Sequence, residues 1–507
     1  MSEHIHDRRR PLIIRGGLVL DATEFLGAAD VLVQNGSIVA VGAAGMPVPD
    51  EAAVIDARRR LLHPGLVNAH THGHGNLSRS MGDRITLELL LASAPHMSPY
   101  QSVEEKRVSA TIGAAEMLLK GCTACYDLFV EFPLPTEEGI AAVAEAYTQV
   151  GMRAVIAPMM ADMTLYEAIP GLMDALPSHL QAALAPLGLP PWQETLERMR
   201  AVLRGWRANS NIVRPAVAPT IPLHCRDEFM IGCRDLAAEY DVGIHTHLAE
   251  SKIQAVVGTR KYGRSLTAHI EHLGLISPKF VAAHGVWLDS DEMRRIGAHG
   301  GSVAHNAASN MRLGNGVADA AGMLGAGVNL AIGTDAATCN DNLNMYEAMH
   351  FAAAASHARG PDPAGWLSAA QIFVAATVGS ARALGFERIG RIAPGYKADI
   401  VFLNLDAPTL IPLNEPMIQM VMGEDGTSVE DVMVDGRFVV RGRRLLSVDL
   451  AALAMRAAEL RAEIDERAVG SRKRYEAVAP ILGDFCPALA RSEWHINRWC
   501  GCAPTSP

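Results

Sequence analysis

Val67-Asn68-Ala69-His70-Thr71-His72 is an apolar run that ends in two histidines. Residues two apart in an extended strand point to the same face, so both imidazoles are aimed together. Three more apolar runs end in the same way: Ile244-His245-Thr246-His247, Ala282-Ala283-His284 and Ile332-Gly333-Thr334-Asp335. They lie far apart along the chain, yet a parallel barrel opens the carboxyl ends of all its strands on one face. Four polar strand ends meeting there make a mononuclear metal site with room for water.

Working outward, strands and helices alternate through the middle of the chain as βαβ units do. Strands are predicted near Gly65–Ala69, Thr123–Asp127, Arg153–Ala157, Val213–Ala218, Gly243–His247, Phe280–His284, Ser302–His305 and Asn329–Asp335. Helix starts punctuate them: Ser102 with Glu105 forms a capping box, and Thr136 precedes Glu137 and Glu138. The two ends of the chain read differently, as short strands joined by hairpin signals at Asn35-Gly36 and Asp435-Gly436. The expected fold class is therefore α/β: a (β/α)8 TIM barrel with a small β-sandwich built from both chain ends. The expected division is 1–62 and 386–449 for the sandwich, 63–385 for the barrel, and 450–507 for a C-terminal helix and tail, the helix spanning Leu450–Ala468. The tail from Cys486 is read as wrapping either a neighbour or its own barrel. Two long connections, 73–101 and 158–192, are placed on the catalytic face, where such loops shape pockets; the second also reads as a plain surface excursion.

Composition narrows the function class. With 507 residues and 49% apolar content the chain can bury a large core. A net charge of −10 argues against a nucleic-acid surface, and Arg8, Arg9 and Arg10 read as a solvated terminus. The start, Met1 to His6, is polar, and no segment has 18 uninterrupted apolar residues, so no membrane span is expected. Eight scattered cysteines do not form a disulfide scaffold, and the expected compartment is the cytoplasm. The Cys122/Cys125 pair enters a strand, where the two thiols should face opposite ways, and is read as structural. Cys500 and Cys502 lack neighbouring ligands at zinc spacing.

Each candidate has an ordinary reading when taken alone. A lone HxH is weak evidence, but His70 and His72 end a proline-led strand, His63-Pro64-Gly65-Leu66-Val67. His247 and Glu250 form an HxxE whose carboxylate lies at the loop start facing the same cavity. His245 shares the face of His247 but sits deeper, which suits a core or supporting role. His284 alone would be a satisfied structural histidine, and Asp335 alone a helix cap. Cys339, after Asp335, reads as a pocket wall or as a buried thiol. Agreement among four independent strand ends favours the metal reading.

Taken together these runs resemble the amidohydrolase superfamily, in the branch of cytosine, S-adenosylhomocysteine and triazine deaminases and chlorohydrolases. The resemblance rests on His63 to His72, His247-Leu248-Ala249-Glu250, His284-Gly285, His305-Asn306 with Ser309-Asn310, Gly333-Thr334-Asp335, and the late run Gly390 to Asp399. It implies one divalent metal, zinc or iron, held by His70, His72, His247 and Asp335. No lysine ends the predicted fourth strand, where binuclear relatives carry a bridging carboxylated lysine. The implied catalytic groups are Glu250, His284 and Asp335: Asp335 takes a proton from water, Glu250 protonates a ring nitrogen, and His284 steadies the new oxygen. The expected activity is hydrolytic deamination of an aminated N-heterocycle; the same site can instead cleave an amide, urea or carbamate C–N bond. A barrel retained for binding alone is the third reading, and the complete ligand set argues against it. Departures from the nucleoside-type pattern, with Thr220 after Ala218-Pro219 and Leu87-Glu88-Leu89-Leu90 in the first loop, argue against an adenosine-like ligand. The expected partners are a small-molecule substrate and further copies of the chain as a homo-oligomer, with neither nucleic acid nor membrane.

Overall fold

Five strands open the chain: β1 (Leu12–Leu20), β2 (Phe25–Gln34), β3 (Ser37–Ala43), β4 (Ala53–Asp56) and β5 (Arg60–Pro64). The computed structural model describes residues 10–98 and 100–499. The run from Met1 to His6, Arg8, Arg9, Cys500 and Cys502 lie outside them. The middle of the chain supplies β6 (Leu66–Thr71), β7 (Cys122–Val130), β8 (Arg153–Met160), β9 (Val213–Pro215), β10 (Ala218–Pro219), β11 (Ile244–Leu248), β12 (Phe280–His284), β13 (Ser302–His305) and β14 (Asn329–Ile332). The last strands are β15 (Ile400–Asn404), β16 (Val429–Val434), β17 (Arg437–Arg441) and β18 (Arg444–Leu445).

The middle strands form two parallel sheets. One runs β10-β8-β7-β6 with β9 beside β8; the other runs β11-β12-β13-β14. Isolated parallel bridges, Val217 to Ile244 and Thr71 to Asp335, connect them at both seams. Small and branched side chains from both sheets share one cluster, including Val67, Ala124, Val155, Ala218, Val281 and Ala331. The intervening helices pack their apolar faces on the other side of these strands.

The terminal strands join in a third, mixed sheet of order β18-β17-β16-β15-β5-β1-β2-β3, with β4 beside β1. Both ends of the chain thus meet through the antiparallel pairing of β5 with β15. The two hairpins turn where expected: Asn35 and Gly36, and Asp435 and Gly436, all have positive φ, as tight primed turns require. The capping box of Ser102 and Glu105 is also formed.

Three expectations are corrected. The fourth strand is split into β9 and β10, because Pro215 and Pro219 supply no N–H to a ladder. The eighth ends at Ile332, and beyond it Asp335, with φ 64°, makes only a single bridge to Thr71 of β6. Cys122 and Cys125 are both buried and free, but they share one apolar cluster instead of facing opposite ways. Between the pairs Leu66–Cys122 and Val67–Ala124 the register slips by one residue, which turns both thiols to the helix side. Burial pushes the Cys122 thiol up to about 12 and Cys125 well above its usual value.

Among the described residues one stretch, Pro363–Ala383, is apolar and long enough to cross a membrane, with mean hydropathy 1.3. Half of it is buried, and its turns pack on β14 and β6, which accounts for its composition. The predicted C-terminal helix is present as Leu450–Arg467, and a second one, Val469–Ala490, follows it. The tail wraps its own chain. Arg498 donates to the Leu288 carbonyl at 2.6 Å, Trp499 Nε1 to Gly314 at 3.2 Å, and Val317 N to Arg498 at 2.7 Å.

Candidate active site

His70 and His72 project from the end of β6, His247 from β11, His284 from the last residue of β12, and Asp335 from the bridge to β6 just beyond β14. All five are buried. The structure gathers them. His72 Nε2 lies 3.2 Å and His70 Nε2 3.4 Å from Asp335 Oδ1, and His247 Nε2 lies 3.3 Å from His72 Nε2. Two overlapping donor groups emerge, His70 with His72 and Asp335, and His70 with His247 and His284; within each the donor atoms lie within 4.8 Å of one another.

The hydrogen bonds behind the cluster fix which ring atoms face inward. His72 Nδ1 donates to the Leu128 carbonyl and His247 Nδ1 to the Thr220 carbonyl, each at 2.7 Å. Each imidazole then presents an Nε2 lone pair, and a backbone anchor of this kind is the usual support of a metal-ligating histidine. Two such lone pairs 3.3 Å apart repel unless a cation lies between them. His70 adds two buried ring nitrogens without a hydrogen-bond partner among the described residues. Three imidazole nitrogens with one carboxylate oxygen form a donor set suited to a borderline-soft divalent ion. The residues present fit such an ion.

Asp335 is held from behind. Ser309 Oγ donates to its Oδ2 at 2.6 Å and the Ala336 amide to its Oδ1 at 2.8 Å. Burial would raise its pKa, but the imidazoles of His70, His72 and His284 crowded around it hold it well below the ordinary value. His70 is driven down to about 3, chiefly by burial. Gly333 allows the β14 turn to close on β6: a Cβ there would stand 2.3 Å from Asn306 Oδ1 and 2.8 Å from His70 Cβ.

Glu250 sits in the turn after β11, where Ala249 has φ 49°. Its Oε1 accepts from Asn315 Nδ2 at 3.1 Å, while Oε2 has no partner among the described residues and lies 3.7 Å from His284 Nε2. Burial, with Asp335 and Glu88 nearby, raises the Glu250 pKa well above that of an ordinary carboxyl. His284 also has a left-handed backbone, φ 73°, and its Nδ1 pairs with Asn310 Oδ1 at 2.9 Å. Nε2 is left facing Glu250 and Asp335, the latter at 3.8 Å. Three strand ends with strained backbone at one centre is the pattern of a site whose geometry outranks local comfort. His245 lies deeper, buried against His70 and Tyr126, as its position in the strand implies.

These side chains floor a cavity of about 310 Å³. Its walls come from both long connections: Leu87, Leu90 and Met97 from the first, Met163, Tyr166 and Leu184 from the second. Cys339 lines it and is buried, so both readings of that residue hold. Sequence reasoning missed Asn315 and Glu88, whose Oε1 accepts from Ser251 beside Glu250. It quoted Ser309 and Asn310 only as part of a motif.

With this geometry in hand, the model of the amidohydrolase family matches residues 61–439. The chain belongs to that family. Among its relatives, a 5-methylthioadenosine/S-adenosylhomocysteine deaminase of Thermococcus kodakarensis is 32% identical over 85% of this chain and 93% of its own length. A 5'-deoxyadenosine deaminase of Methanopyrus kandleri is 32% identical over 77% of this chain and 83% of its own. Two solved structures superpose with TM-score 0.79. An adenosine deaminase from Xanthomonas campestris with bound zinc is 30% identical, covering 89% of this chain and 98% of its own. The atrazine chlorohydrolase TrzN of Arthrobacter aurescens TC1, complexed with zinc, is 26% identical and covers 89% and 100%.

Proposed function

We propose that this amidohydrolase uses one divalent metal ion, zinc, to deaminate an aminated N-heterocycle by hydrolysis. The observation that carries the reading is the meeting of inward-facing imidazole lone pairs with Asp335, beside a carboxyl, Glu250, whose pKa burial raises. His70, His72, His247 and Asp335 hold the ion, which when bound lowers the pKa of a coordinated water to roughly 7 and so supplies a nucleophile near neutrality.

The protein's own groups handle the protons. Asp335 accepts one proton from the attacking water, and Glu250 delivers its own to the ring nitrogen next to the carbon under attack. His284 Nε2 accepts a hydrogen bond from the new hydroxyl, its Nδ1 proton being committed to Asn310. Asp335 then passes its proton to the exocyclic nitrogen, the carbon–nitrogen bond breaks, and ammonia leaves. The hydroxyl proton returns to Glu250, and the product keeps a carbonyl and a ring N–H. Names of adenosine-type deaminases among the relatives support this bond as the target and a purine as the first ring to test, against the departures at Thr220 and Leu87 to Leu90.

The same reading includes the architecture. The two seam bridges and the shared interior cluster support one closed (β/α)8 barrel over 63–385. The terminal sheet wraps a cluster drawn from β1, β2, β3, β5, β15 and β16, which supports a small β-sandwich of 1–62 and 386–449, with 450–507 read as a C-terminal helix and tail. The test is a screen of zinc-loaded protein against aminated triazines, pterins and purines, and against ureas and amides. Ammonia from a heterocycle is the expected result. Amine release from ureas or amides, with no ammonia from any ring, would overturn the proposal.

A further inference from the structure

The second C-terminal helix, Val469–Ala490, forms part of the cavity wall through Ser471, Arg474, Tyr475 and Val478. It lies beyond the stretch matched by the family, which ends at 439. The helix is pinned to the first pocket helix, Leu87–Met97, where the Tyr475 and His96 rings pack 4.9 Å apart.

Charge is distributed unevenly along this cavity. Among the described lining residues the carboxylates are Glu250 and Asp335, both at the strand ends, and Arg474 is the one lysine or arginine. Between them the lining is mostly apolar. The Arg474 guanidinium has five N–H donors. Its hydrogen bond among the described residues runs from Nη2 to Ser471 Oγ at 3.0 Å, and it forms no ion pair with a described carboxylate. Arg474 is half-buried, and its guanidinium, with donors to spare, lines a largely apolar cavity. At about 310 Å³ the space falls in the range of pockets that enclose drug-sized ligands, more than one aminated ring fills.

We propose that Arg474 is a specificity-determining residue that binds a carboxylate at the far end of the substrate. The substrate class is then an aminated N-heterocycle joined through an apolar linker to a carboxylate. The ring sits at the strand ends, the linker runs along the leucine and methionine walls, and the carboxylate takes the paired guanidinium donors, as arginine geometry favours. The inference rests on the deaminase reading for the ring and on Arg474 alone for the tail.

The probes are a 6-aminopurine carrying an N9 alkyl chain that ends in a carboxylate, and the same compound ending in a primary amide. Binding of each to the zinc-loaded full chain is measured by calorimetry, alongside ammonia release. The carboxylate is expected to bind about 10- to 100-fold tighter than the amide. Arg474→Met should abolish that preference by weakening the carboxylate probe down to the level of the amide, with zinc content and the thermal unfolding midpoint showing that the variant is folded; Arg474→Lys should restore part of it. Equal binding of the two probes, a preference that survives in Arg474→Met, or no binding of either overturns the proposal. Ammonia from both probes without a carboxylate preference removes the subsite and leaves deamination standing. A preference without ammonia keeps the subsite and removes deamination.

Discussion

Replacing Glu250 by glutamine changes almost nothing in shape and removes one transferable proton. Glu250 belongs to neither donor group, and its Oε2 stands 3.7 Å from His284, so Glu250→Gln should keep a full complement of zinc. Asn315 still finds a carbonyl oxygen to donate to. Loss of a general acid costs about 10²- to 10⁴-fold in rate, or roughly 3–5 kcal/mol on the barrier. The assay pairs ammonia release, read as kcat/KM, with metal content by atomic emission. A second readout follows from linkage. The folded-state pKa of Glu250 is raised, so the folded chain holds a proton that the unfolded chain releases. Stability of the metal-free protein should therefore fall as pH climbs above the ordinary carboxyl pKa toward the raised value, and Glu250→Gln should remove that decline. Turnover within tenfold of the parent would take Glu250 out of the mechanism, and an unchanged pH slope would contradict its buried, protonated state.

His247→Ala should leave less than one zinc per chain after dialysis; full occupancy with full activity would exclude His247 as a ligand. Trp499→Ala should loosen the 314–317 loop, whose Gly314 carbonyl accepts from Trp499 Nε1 at 3.2 Å and which carries Asn315 behind Glu250, and lower kcat about 5-fold with zinc content intact, in line with one hydrogen bond of roughly 1 kcal/mol. An unaltered kcat would show that the strap does not bear on the acid. Asp399→Asn should strand Arg153, which is buried and bonded to Asp399 at 2.7 Å, and cost about 3–5 kcal/mol in urea unfolding. A loss below about 1 kcal/mol would mean that Arg153 is satisfied by Asp435 and the Asn211 carbonyl.

Much of this site was legible because strand periodicity and strand-end chemistry are both local. His70 and His72 announce their shared face by spacing, and β12 and β13 fall at their predicted residues. What escaped depends on contacts made across the fold. Asn315 lies in a loop without period, and only the folded chain sets it against Glu250. The helix Val469–Ala490 contains Pro480 and Pro487, residues that ordinarily end a helix, so its continuation over the pocket was hidden. The thiols of Cys122 and Cys125 were misassigned because a one-residue slip leaves no trace in composition.

The pairing of β5 with β15 has a consequence for how the chain is made. Pro64 pairs in register with Ile400, and synthesis at roughly 5–20 residues per second separates their emergence by on the order of half a minute. During that wait the nascent protein carries a sticky, half-finished ribbon with an open flank, the kind of surface to which other unfinished chains adhere. Growing the cells more slowly lengthens the exposure, and supplying the closing segment as a separate polypeptide shortens it. Yield of intact protein should therefore respond to translation rate and to chaperone supply.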